Sequence, residues 1–177
     1  MPLVTREYKE ELIMYNQSVL SLEAPNVNVK ESIYEYRLTL VKERCSSDLF
    51  GEESCSPRAA ALLLKKFLAG VDREHFVLLL LNTKNKVTGI HVVSVGSLDS
   101  SLVHPREVFK PAVLANCASI ILGHNHPSGD PQPSREDIGL TKRLKDAGEL
   151  MGIPVLDHIV VGDGSVRYFS FKEESFI

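Results

Sequence analysis

The stretch ASIILGHNHPSGDPQPSRED, residues 118–137, constrains the fold more than any other part of this chain. It opens with a short apolar run of the kind that suits a strand covered on both faces. That run passes without a break into fifteen positions holding two histidines, two aspartates, a glutamate, two serines and three prolines. In extended chain, side chains at i and i+2 project from one face, so His124 and His126 can converge on one point at the strand's end. The segment Pro127-Ser-Gly-Asp-Pro-Gln-Pro has little conformational entropy to lose and can fold the chain back. Asp137 then falls in the first turn of a helix beginning at Ser134. The pattern calls for a sheet whose strand end, a common seat of functional groups, lies open beside a helix N-terminus.

The rest of the chain supplies such a sheet. Ser56-Pro57 offers an N-cap with proline at the first helical position, and the helix should end near Gly70. Residues 76–81 form a continuous apolar run, 82–86 supply turn residues and 87–95 a second strand, together a hairpin. His104-Pro105 opens a helix through Val108, Ala112, Val113 and Ala115. The helix from Ser134 runs to about Met151, with Ile138, Leu140, Leu144, Ala147 and Leu150 as its apolar positions. Residues 155–161 and 166–171, joined by Gly162-Asp-Gly, read as a closing hairpin. Ahead of these elements, 1–28 shows no clean period and fits either a short helix over 8–15 or a mobile segment. Residues 34–42 alternate as a half-solvated strand, and 45–55 read as a loop. The expected class is α/β, a mixed β-sheet with flanking helices in layers. The expected division is an N-terminal extension over 1–55 with one strand and a compact domain over 56–177.

Composition narrows the partners. A chain of 177 residues fits one domain with a short extension. Net charge is −3 and the pI about 6.1, so no global positive field recruits nucleic acid or an anionic membrane. No apolar run nears the roughly 18 residues of a membrane span. The first residues lack the apolar core of a signal peptide, which leads to a cytoplasmic expectation. Cys45, Cys55 and Cys117 are odd in number and lack C-x-x-C spacing, so they suggest reduced thiols rather than a disulfide framework or zinc knuckle.

Two neutral imidazoles and one carboxylate, with a fourth position left to water, form a catalytic rather than a structural zinc arrangement. Ser134-Arg-Glu-Asp also matches the S-x-x-[DE] capping pattern, which taken alone is the commoner explanation of such a sequence. The histidine pair shifts the balance, because adjacent imidazoles without a metal repel when protonated and gain nothing in packing. Both roles can coexist in Asp137.

His124, His126, Ser134 and Asp137 match, at every spacing, the H-x-H-x7-S-x2-D signature of JAMM (MPN+) metalloproteases. Together with HPREVF at 104–109 and LDHIVVGDG at 156–164, the string HNHPSGDPQPSRED resembles the RadC family from about Ser56 to Val166. The resemblance implies a JAMM/MPN layered domain, similar in layout to cytidine deaminases, over 56–177. It implies one zinc ion held by His124, His126 and Asp137. It also implies an upstream glutamate that shuttles the proton of the zinc water. The matching position is Glu74, at the mouth of an apolar strand; Glu107 and Glu136 are the alternatives, and neither starts a strand. Ser134 is implied to steady the oxyanion beside zinc. The function that follows is a zinc-dependent hydrolase, a metallopeptidase or isopeptidase acting on a peptide or protein substrate.

Other residues read more plainly. His158 lies in a strand-like run and suggests a supporting or structural role rather than ligation. His104 precedes a helix start, and His75 points away from the face of Glu74. Asp130 orients its loop through Asx-type bonds, and Lys142-Arg-Leu-Lys is a solvated helix face. The alternative function is a DNA-repair or recombination-associated accessory protein, as the family's label suggests. Relatives carry a glycine- and lysine-rich helix-hairpin-helix segment unlike anything in residues 1–55, and charge gives nucleic acid no support as a partner. A deaminase is disfavoured, since the H-x-E and P-C-x-x-C pair is missing. The sequence does not determine the oligomeric state.

Overall fold

The computed structural model describes residues 39–41, 56–96, 103–162 and 167–177. The expected helix at 8–15 and loop at 45–55 lie outside them, as does most of the expected strand at 34–42. Its described residues, 39–41, are exposed and not in a strand. The turn at 163–166 is outside as well.

Eight elements follow in order: α1 Pro57–Phe67, β1 His75–Leu81, β2 Val87–Val95, α2 Pro105–Leu114, β3 Ser119–His126, α3 Arg135–Met151, β4 Val155–Gly162 and β5 Tyr168–Ser170. Local chemistry sets the helix starts. Ser56, His104 and Ser134 each accept a first-turn amide with their side chain, and Pro57 and Pro105 stand at the first helical position, where no N–H is needed. Asn82 builds the β1–β2 turn by accepting from the amides of Lys84 and Lys86, with Asn85 in left-handed backbone at φ 54°.

The five strands form one mixed sheet in the order β2-β1-β3-β4-β5. β1 pairs antiparallel with β2 and β3, β3 pairs parallel with β4 across the α3 crossover, and β5 returns antiparallel on β4. The apolar runs of β1 and β3 are central and buried, as a strand covered on both faces requires. Alternation divides the core in two. Phe76, Leu78, Leu80, Ile120 and Leu122 face α2 and α3, while Val77, Leu79, Leu81, Ile121 and Ile159 face α1. The α/β layered class expected from the sequence is the one observed.

Three apolar assignments need correction. On α3, Ile138 is 36% and Leu150 89% exposed, and on α2 Val113 is 47% exposed. The buried stripe of α3 is instead Asp137, Leu140, Thr141, Leu144 and Gly148. Once Asp137 turns inward, positions three, four, seven and eleven residues on share its face, and Ile138 is rotated out of it. The stripe thus includes a hydroxyl and a glycine that hydrophobic periodicity passes over. No helix among the described residues is long and apolar enough to cross a membrane.

Candidate metal centre

β3 is long enough to carry both histidines in extended backbone, so His124 and His126 project on the α2–α3 face of the sheet. The chain then loops back and enters α3 through Ser134, placing Asp137 opposite them. His124 Nε2 is 3.0 Å from His126 Nε2 and 3.5 Å from Asp137 Oδ1, and His126 Nε2 is 3.8 Å from Asp137 Oδ2. A tetrahedral ion with bonds of about 2.0–2.1 Å holds its donor atoms roughly 3.3 Å apart, so this spacing fits one shared cation. Among the described residues these three form the group able to hold a metal ion.

The electrostatics keep His124 neutral and Asp137 anionic, the forms in which each can bind a cation. His124 is fully buried, and burial brings its pKa down to about 4, leaving it neutral at physiological pH. His126 is half-buried and shifted upward, chiefly by the Asp137 carboxylate beside it, with the charge of Glu74 adding to the effect. Its Nδ1 lies 2.8 Å from the carbonyl oxygen of Asp130. A carbonyl only accepts, so His126 carries a proton on Nδ1 and points Nε2 at the other ligands. Burial alone would raise the Asp137 pKa, but the neighbouring histidines and Ser134 hold it well below the usual carboxylate range.

The capping box and the candidate metal group share Asp137. Ser134 Oγ accepts from the Asp137 amide at 3.1 Å. Asp137 Oδ2 accepts from both the Ser134 amide and the Ser134 hydroxyl, each at 2.7 Å. That is a complete capping box, and it leaves Oδ1 turned toward His124.

Glu74 immediately precedes β1. Since Phe76 pairs with His124, continuing the antiparallel register by two residues sets Glu74 across from His126. Asn125 fixes that approach. Its Oδ1 accepts from the His75 amide at 2.8 Å and its Nδ2 donates to the Arg73 carbonyl at 3.0 Å, so it grips the chain on both sides of Glu74. A surface cleft of about 480 Å³ lined by Asp72, Arg73, Glu74, Gly96 and Pro127 opens at this rim. The alternative glutamates lie elsewhere: Glu107 pairs with Lys110 on α2, and Glu136 is exposed in the first turn of α3.

Of the remaining residues, His104 caps α2, at the helix start its position suggested, and His75 Nδ1 lies 3.0 Å from the Arg73 carbonyl oxygen. Asp130 makes its Asx-type bond to the Gln132 amide. Lys142 is exposed, whereas Arg143 reaches the Val103 carbonyl, so the basic helix face is not wholly solvated. His158 is buried against His124, its Nε2 at 2.8 Å from His124 Nδ1, and Phe171 stacks on its ring. Thr141 and Asn125 were not foreseen as parts of the site. Their only sequence signal is a polar residue at a position that the helix or strand pattern buries.

A family model described as a RadC-like JAB domain matches residues 54–176. A UPF0758 protein of Rubrobacter xylanophilus is 56% identical over 122 residues, covering 69% of this chain and 52% of its own length. UPF0758 proteins of Desulforamulus reducens and Methanosarcina acetivorans are each 52% identical, over 139 and 123 residues. These alignments cover 78% and 70% of this chain and 56% and 53% of those proteins. The chain spans about half the length of the curated relatives it matches.

Proposed function

Since the chain belongs to the RadC family of JAB-domain proteins, we propose that it is a zinc-dependent hydrolase of amide bonds, a metallopeptidase or isopeptidase acting on a peptide or protein. The observation that carries this reading is the convergence of His124 Nε2, His126 Nε2 and Asp137 Oδ1 on one point. Two imidazole nitrogens and one carboxylate oxygen are a donor set that suits zinc and leaves one position open. When bound there, the ion supplies Lewis acidity and lowers the pKa of a coordinated water from 15.7 to about 7.

The chain's own groups do the rest. Glu74, at the rim beside His126, accepts the proton of the attacking water and passes it to the leaving amine. Ser134 turns its hydroxyl from Asp137 Oδ2 to the oxygen on which charge develops, a donor whose loss typically costs about 2.7–4 kcal/mol in the barrier. The cleft along Glu74 and Pro127 receives the substrate.

Metal analysis of the purified protein is expected to give one zinc per chain, lost in His126→Ala. A peptide and isopeptide library should be cut in the absence but not the presence of chelator. Glu74→Gln should keep the zinc and slow cleavage by about 10²–10⁴-fold. Absence of bound zinc, cleavage indifferent to chelator, or full activity in Glu74→Gln would each overturn the assignment.

A further inference from the structure

Behind His124 lies a second set of buried polar groups that ligation does not use. Thr141 Oγ1 is 2.6 Å from the Asp137 carbonyl oxygen and 2.6 Å from His158 Nδ1, and His158 Nε2 is 2.8 Å from His124 Nδ1. His124 and His158 have no exposed surface, and Thr141 is 1% exposed.

Donor counting gives this chain a single direction. The Asp137 carbonyl can only accept, so it takes the one hydroxyl hydrogen of Thr141. Thr141 Oγ1 must then accept from His158 Nδ1–H. A neutral His158 with its proton on Nδ1 has a bare Nε2, which accepts from His124 Nδ1–H. His124 is left with its lone pair on Nε2, the atom that faces Asp137 Oδ1 and His126. The path starts at the main chain of Asp137 and returns to its side chain. Reversing it would spend the Thr141 hydrogen on His158 and leave Thr141 Oγ1 and the Asp137 carbonyl oxygen, two acceptors, facing each other at 2.6 Å with no hydrogen between them.

We propose that Thr141 and His158 are positioning residues that lock His124 in the Nδ1–H tautomer and so aim its Nε2 lone pair at the bound metal. The proposal rests on the reading of His124, His126 and Asp137 as a metal centre. Partners of this kind commonly change metal affinity by 10–100-fold.

The test uses the full chain labelled with ¹⁵N-histidine. Long-range ¹H–¹⁵N correlations on the chelator-treated protein report each ring's tautomer, and competition against a chromophoric chelator reports zinc affinity. Wild type should show His124 and His158 as Nδ1–H tautomers. Thr141→Val, nearly equal in volume, should give mixed tautomers and zinc binding weaker by 10–100-fold. Thr141→Ser should restore both. Backbone amide spectra of each variant establish that the fold is kept. Unchanged tautomers and affinity in Thr141→Val would overturn the proposal, as would a wild type that binds zinc yet carries His124 as the Nε2–H form. A wild type with the stated tautomers but no zinc affinity would instead overturn the metal reading, and with it the purpose assigned to the relay.

Discussion

Gly162 ends β4 where the loop following His126 passes over it. A Cβ built at this position would lie 2.1 Å from the Gly129 oxygen and 2.6 Å from its carbonyl carbon. Ordinary contact begins near 3.4 Å, so Gly162→Ala requires the loop backbone to withdraw by more than an ångström. Overpacking of this kind costs about 1–3 kcal/mol, and each kcal/mol lowers the Tm of a domain this size by roughly 4 °C. The same loop carries the Asp130 carbonyl that holds His126 Nδ1 at 2.8 Å, a bond that does not survive such a shift. Zinc affinity should therefore fall about 10–100-fold along with the melting temperature. Chelator competition measures the first, and thermal unfolding of metal-free protein the second. Gly139→Ala, on α3 with nothing within 4 Å, is the control and should leave zinc affinity alone. If Gly162→Ala bound zinc as wild type does and melted within about one degree of it, the contact between loop and strand would not be what seats His126.

Two further outcomes follow from the same geometry. Asn125→Ala removes both bonds that flank Glu74, so it should reduce substrate cleavage far more than zinc affinity; equal losses in the two would place Asn125 in support of the metal instead. The His126 proton, held more tightly than the ordinary 6.5 chiefly because of Asp137, must leave when zinc enters. Below that raised value, apparent affinity should drop about tenfold per pH unit, with one proton released per ion; calorimetric heats at pH 6 that do not change with the buffer's ionisation enthalpy would refute it. The sign for metal-free stability is opposite. Protonated His126 stabilises that fold fully below its unfolded-state pKa, and the contribution disappears as pH rises through the folded value.

Local chemistry made much of the fold legible. Ser56-Pro57, His104-Pro105 and Ser134 announce helix starts because a cap needs only one side chain and the amides just after it. The run 76–81 announces a central strand because a strand covered on both faces has no reason to alternate. The inward face of α3 was harder to read. It is set by Asp137 meeting two histidines on another element, and that requirement outranks the apolar stripe through Ile138. The grouping of His124, His126 and Asp137 was legible for the opposite reason, since strand period and loop length bring them together within fourteen residues of sequence. Asn125 and Thr141 act through bonds to residues 50 and 17 positions away, so nothing near them in sequence distinguishes them from ordinary polar residues. Glu74 stood out only through resemblance, because its place across from His126 exists only once β1 and β3 are paired.

Cap and ligand do not compete for Asp137, because they draw on different oxygens. Oδ2 is spent on the Ser134 amide and hydroxyl, while Oδ1 is directed at His124. The capping bonds help keep the carboxyl ionised, and its place in the first turn of α3 adds the favourable field of a helix N-terminus. A cation arriving at the centre meets one ligand that is already an anion and one, His124, that burial already keeps neutral. The group of the three whose proton is held more tightly than usual is His126, also the most exposed of them and the one that feels Glu74's charge. A proton given up on ion binding would thus leave from the rim, where water and the Glu74 carboxylate can receive it, rather than from the buried side of the site.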